Sequence, residues 1–271
     1  MVARWANDTN EPVFDIRLTA PTLVAMNTWQ SAIFFGLPGL AIFVGLNLGV
    51  PEVTERGVPL IVSWSVALWL PVLLLLAWVL LRAGRNTPRP TFRQQFRLKR
   101  MERRHWIAVL LAIIVLQICE LLLFRTAAFF AELALLPIPP VIPELFSPRF
   151  NLDEGLETFF GVPVAGNWWL VLFWLGWLVV NIGGEELLWR GYALPLQERV
   201  FGGNAWIVNG LCWNVLVHAF MWWNVLTLLP ISLAVPYLVQ RYQNTWIGIY
   251  LHGVGNLLVL AILIPSIAGW L

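Results

Sequence analysis

Charge is what this chain has least of: Asp, Glu, Lys and Arg make up 12% of its 271 residues, about half the share of a soluble domain. With 59% hydrophobic residues, that excludes an ordinary soluble globule. Cysteine is down to two, Cys119 and Cys212, both in apolar segments, so neither a disulfide framework nor a cysteine-rich metal site is expected. Histidine occurs three times. Internal repeats and low-complexity tracts are lacking. Some 27 mixed residues precede the first apolar run, so that run is read as a first span and not as a cleavable signal peptide.

Long hydrophobic runs are abundant instead. Stretches long enough to cross a bilayer fall at 28–48, 60–81, 106–124 (with an extension to 136), 168–182, 205–222, 225–240 and 246–268. Gly36, Pro38 and Gly39 predict a kink or break in the first. Seventeen tryptophans suit a protein with two membrane–water interfaces, and the tryptophans are read as packing or interface anchors. The expected fold is all-α, a polytopic bundle of seven or eight transmembrane helices. It divides into N-terminal spans with a basic loop (1–105), a third span with a Pro-rich connection (106–167) and a helical core (168–271).

The net charge of +2 hides an asymmetry: nine of the seventeen Lys and Arg lie between Arg82 and Arg104, opposed there only by Glu102. Flanking spans make this a cytoplasmic loop and not a nucleic-acid site, which places the N-terminus in the cytoplasm too. Arg89, Arg93, Arg97, Arg100 and Arg104 recur every three or four residues, as in a helix lying on anionic lipid; a disordered basic loop is the alternative. The connection from Arg125 to Asn167 then lies outside, and its prolines, Pro137 to Pro148, forbid a continuous helix.

Against this apolar background a few polar residues stand out. Glu185 and Glu186 sit side by side in the run 168–189, followed by Arg190; His218 and His252 lie in later spans, with Asn256 one turn beyond the second. Charged groups at bilayer depth are costly and usually face a cavity or a partner. Glu185 and His218 are each about 25 Å along their helices from the turn at Gly202–Gly203, so an antiparallel pair brings them face to face. His252 is expected at a different depth unless helices tilt. A carboxylate and an imidazole in such a cavity can activate water, and a histidine with an asparagine can donate to an oxyanion. Alternatively Glu185, His218 and His252 could hold a metal such as zinc. Glu186 and Arg190, four apart, suit an ion pair. Glu120, one turn after Gln117, either lines the same cavity or pairs with Arg125.

The stretch Glu185-Glu186-Leu-Leu-Trp-Arg190-Gly191 resembles the EExxxR motif of the CPBP (CAAX protease and bacteriocin-processing, Abi, Rce1-like) intramembrane proteases. His218 falls where that family carries its second-motif histidine, and His252 with Asn256 resembles its final HxxxN motif. The resemblance covers roughly 168–260. It implies a catalytic cavity open to the cytoplasm and an endopeptidase acting on a membrane-anchored protein or peptide. It assigns Glu185 and His218 to water activation, His252 and Asn256 to oxyanion stabilisation, and Glu186 and Arg190 to support. No metal is favoured, because metal-type ligands are scarce. One departure is Asn214, where the family has phenylalanine; one turn before His218, it could fix that ring's tautomer. A prokaryotic inner or plasma membrane is the expected location. The competing readings are a non-catalytic scaffold or regulator of the same fold and a proton-coupled transporter, which would show two related halves.

Overall fold

The computed structural model describes residues 25–83, 90–151 and 154–271. The first 24 residues, with Arg85 and Arg89 of the basic loop, lie outside the described residues. The chain is helical almost throughout. Five helical stretches are long and apolar enough to cross a membrane: Thr28–Glu55, Leu60–Ala83, Arg103–Leu123, Trp169–Tyr242 and Trp246–Ala268.

Helix α1 (Thr28–Glu55) starts at a capping box, in which Asn27 and Gln30 each accept the other's backbone N–H. It runs unbroken through Pro38, contrary to the expected break; its irregularity is a π-wound turn at Gly45–Gly49. Helix α2 (Leu60–Ala83) returns across the bundle. After it come a single turn, α3 (Phe92–Gln95), then α4 (Arg103–Leu123) and the short α5 (Thr126–Glu132). The extension of the third span to residue 136 is therefore cut twice, at Phe124–Arg125 and after Glu132. Leu110, Leu111, Val115, Ile118, Leu121 and Leu122 of α4 are all more than half exposed, the side a lipid-facing helix offers to hydrocarbon.

Beyond α5 the Pro-rich connection holds no continuous helix, as expected, but its described residues are tied down. A two-stranded antiparallel ladder, β1 (Thr158–Phe159) with β2 (Val162–Pro163), pairs Phe159 with Val162. Its turn places Phe160 and Gly161 at positive φ. The Glu144 carboxylate accepts the N–H groups of Glu157 and Thr158. Phe146, Phe159 and Phe160 pack edge-on or stacked with Trp64, Trp174 and Trp177, so the connection is an aromatic cap and not a loose loop.

The core of the bundle is one unusual chain. Helix α6 (Trp169–Glu186) runs into a π-wound stretch, Leu187–Ala193, then α7 (Leu194–Phe201). Gly202, at φ 54°, opens the turn to α8 (Ala205–Leu211). A second π-wound stretch, Cys212–Leu216, passes into a 3-10 segment, Val217–Asn224, before α9 (Val225–Tyr242). Helices α10 (Trp246–Leu257) and α11 (Leu260–Ala268) close the chain. Two glycines permit the tight packing: a Cβ on Gly39 would lie 2.0 Å from the Leu216 carbonyl oxygen, and one on Gly210 would lie 2.3 Å from that of Ser232.

The basic loop departs from both expectations. Between α2 and α4, Phe92–Gln95 is the one helical turn among the described residues, and Arg97 at φ 52° turns the chain. Arg97 makes a two-pronged ion pair with Glu198, at 2.7 and 2.9 Å. Phe96 is fully buried against Gly191, where a Cβ would come within 2.9 Å of the ring. The Asn244 side chain accepts the Lys99 N–H and donates to its carbonyl. The segment is thus a strap pinned across α7 and the α9–α10 connection. The three-and-four spacing of its arginines fails to make a helix because Arg97 and Phe96 are drawn inward by specific partners.

Candidate active site

Charged side chains buried in a low-dielectric bundle must find partners, and here they find one another. Glu186 and Arg190 are fully buried, and Glu185, His218 and His252 are at most 9% exposed. They come from α6, the first π-wound stretch, the 3-10 segment and α10, so chain far apart in sequence meets at one place.

Glu185 ends α6 with both oxygens engaged: Oε1 accepts from the Asn181 amide at 3.1 Å and Oε2 from the Trp213 indole N–H at 2.7 Å. Glu186, its neighbour, faces α10. Its Oε1 lies 3.0 Å from His252 Nδ1 and 3.2 Å from Arg190 Nη1. Gly248 makes room for it, since a Cβ there would stand 2.3 Å from Glu186 Oε2. The Arg190 guanidinium lies 4.5 Å over the Trp213 ring, a cation–π contact in a dry setting.

His218 sits where the backbone leaves helical geometry (φ −91°, ψ 18°). Its Nδ1 lies 3.1 Å from the Trp213 carbonyl oxygen, which can only accept, so Nδ1 carries the proton and Nε2 is the free lone pair. Asn214 does not do this work, contrary to expectation: its amide donates to the Val225 carbonyl at 3.0 Å. The reason is local. His218 lies past the π-wound stretch at a non-helical residue, and its ring turns back over the Trp213 carbonyl and ring rather than toward the Asn214 side chain.

His252 reaches the same cluster, as its predicted place in the site requires, so the separation in depth that its position in the span suggested does not keep it away. Its ring lies 5.2 Å from that of Trp213, while His218 lies 4.3 Å from it. Asn256, half-buried on the same face of α10, gives one amide N–H to the His252 carbonyl at 3.0 Å and keeps a second. Its own carbonyl accepts the Trp174 indole at 3.1 Å. The predicted residues Glu185, Glu186, Arg190, His218, His252 and Asn256 are therefore gathered, and Asn214 is turned aside. Glu120 stays apart: it is exposed on α4 and hydrogen-bonds to Gln117.

Two residues escaped the sequence reading, Asn181 and Trp213. Asn181 could have been found, since it precedes Glu185 by one helical turn. Trp213 carried no signal among seventeen tryptophans. As a metal shell the site fits poorly: among the described residues no three His, Cys, Asp or Glu side chains group closely enough to hold an ion. The Glu185 oxygens and the Nδ1 atoms of both histidines already have protein partners.

Fold and site together define a helical integral membrane protein with a buried carboxylate–imidazole cluster. The segment 167–258, about a third of the chain, matches a protein-family model described as Rce1-like, type II CAAX prenyl endopeptidase Rce1-like. All the gathered residues fall inside that segment, and the family is one of proteases. Comparison with curated proteins gives no match, and comparison with solved structures gives none.

Proposed function

We propose that the protein is an intramembrane endopeptidase that hydrolyses a peptide bond of a membrane-anchored protein or peptide, using water activated by Glu185 and His218. The observation that carries this reading is the convergence of Glu185, His218 and His252 on Trp213, with Asn256 one turn beyond His252, in a segment that matches a protease family.

Glu185 has one lone pair left on each oxygen, and His218 offers Nε2. A water between them loses its proton to this pair as its oxygen attacks the scissile carbonyl. The carbonyl oxygen becomes an oxyanion, which the second Asn256 N–H and a proton on His252 Nε2 stabilise. For this His252 acts in its doubly protonated form, giving Nδ1–H to the Glu186 carboxylate and Nε2–H to the oxyanion, and it keeps both protons throughout. The proton taken from water then passes to the leaving amine, the C–N bond breaks and the site returns to its starting state. No step needs a metal. The excess of basic residues in the strap supports a cytoplasmic N-terminus, with the site open to that side and the strap beside anionic lipid.

The test is cleavage of membrane-anchored peptides by purified protein in lipid, wild type beside Glu185→Ala and His218→Ala, with and without a chelator. Wild type should cleave, both variants should lose about 100-fold or more in rate, and chelation should change nothing. Wild-type rates in both variants would sink the site assignment. Loss on chelation, restored by zinc, would move Glu185, His218 and His252 into a metal shell. A wild type that cleaves no peptide favours a scaffold of the same fold.

A further inference from the structure

Seven tryptophans of the described residues are buried, and five of them, Trp64, Trp177, Trp189, Trp222 and Trp223, leave the indole N–H without an acceptor. Of the other two, Trp174 donates to a backbone carbonyl, that of Asn256, whereas Trp213 donates to a side-chain carboxylate, that of Glu185. Among the buried tryptophans of the described residues, Trp213 is thus the one whose indole holds an acidic side chain.

We propose that Trp213 is the positioning residue of the site, holding the Glu185 carboxylate and both imidazoles in mutual register; the inference rests on the proteolytic reading above. Each of its parts is committed. Its indole N–H donates to Glu185 Oε2 at 2.7 Å, a charge-assisted bond that fixes one oxygen and leaves its second lone pair for water. Its backbone carbonyl sets the His218 tautomer. Its ring meets His218 and His252 edge to face, so neither imidazole can rotate freely. The Arg190 guanidinium lies over the same ring, which keeps this charge near both acids.

The geometry follows from the chain. Trp213 lies in the π-wound stretch, and His218 follows where the backbone leaves helical geometry, so its ring turns back onto the Trp213 carbonyl and ring. One tryptophan thereby serves the acid through its side chain and the histidine through its backbone.

Trp213→Phe keeps the ring and removes the donor, so it separates positioning from packing. Ultraviolet resonance Raman spectra, wild type minus Trp213→Phe, isolate this indole from the others. We expect a strongly hydrogen-bonded indole N–H in that difference. The same difference taken in a Glu185→Ala background should show a weakly bonded one. In cleavage assays Trp213→Phe should lower kcat about tenfold to a hundredfold, the worth of a hydrogen bond to a charged group, with KM changed far less. A difference spectrum of a free indole in the wild type overturns the proposal, and so does a strongly bonded indole in both backgrounds. Wild-type kcat in Trp213→Phe overturns it as well. If the wild type cleaves no peptide, the proteolytic reading fails by itself, and the spectra still decide whether Trp213 holds Glu185. Should Trp213→Phe not fold, Glu185→Ala against wild type, read on the same indole band, gives the same decision.

Discussion

Glu186 and Arg190 carry opposite charges with no exposure at all, and their stabilities depend on each other. Glu186 Oε1 is shared between Arg190 and His252, while its Oε2 and the Arg190 nitrogens have no hydrogen-bond partner. Removing one member of such a pair strands a buried charge, which costs about 3–5 kcal/mol. Glu186→Ala should therefore lower the midpoint of thermal unfolding in detergent sharply. Glu186→Leu combined with Arg190→Met should recover much of that loss while cleavage stays absent, because His252 has lost its acceptor. Equal midpoints for Glu186→Ala and wild type would show that the pair contributes nothing. The residues of this cluster were legible in the sequence for a simple reason: acids, an arginine and imidazoles are conspicuous in apolar spans. Trp213 was not, because an indole that donates to a carboxylate and one that fills a gap are the same letter. Asn214 misled because a shared helical face counts only where the backbone stays helical, and at His218 it does not.

Helix winding and close approach govern the next scale. Spans could be read from hydropathy to within a few residues, as at Leu60–Ala83 and Arg103–Leu123. The π-wound stretches at Leu187–Ala193 and Cys212–Leu216 could not, since one inserted residue per turn leaves no mark on composition. The aromatic cap over the bundle was equally hidden; its prolines ruled out helix but did not say that Glu144 would tie the connection down. Glycine gives a sharp test here. Gly39 lets α1 approach the backbone at Leu216, and backbone cannot swing aside as a side chain can. Gly39→Ala should destabilise by about 1–3 kcal/mol or more, the scale of overpacking, measured as a shift in detergent unfolding. Gly176 in α6 has nothing within 4 Å of a notional Cβ, so Gly176→Ala should be neutral or slightly stabilising through helix propensity. If both variants unfold alike, the contact between α1 and the π-wound stretch is not what sets the packing.

Across the whole molecule, charge is distributed as a membrane would sort it. Nine basic residues lie between Arg82 and Arg104, whereas the connection from Arg125 to Asn167 carries five acids against two arginines. The strap holds its basic stretch against the bundle through Arg97–Glu198 and Phe96, leaving Arg93, Arg100, Arg103 and Arg104 exposed. Those four can meet lipid headgroups without the single continuous helix that their spacing predicted, so contact with anionic lipid remains a proposal independent of that helix. By the positive-inside rule the strap end is expected to face the cytoplasm, which labelling can test. With Cys119 and Cys212 replaced by serine, Arg100→Cys in intact cells or sealed vesicles should resist a membrane-impermeant maleimide added outside and react once the membrane is opened. Arg149→Cys, exposed in the aromatic cap region, should react without opening. The reverse pattern would invert the molecule. It would also turn the strap, and the end of the bundle it covers, away from any cytoplasmic substrate, so the same labelling decides where a peptide must arrive to be cut.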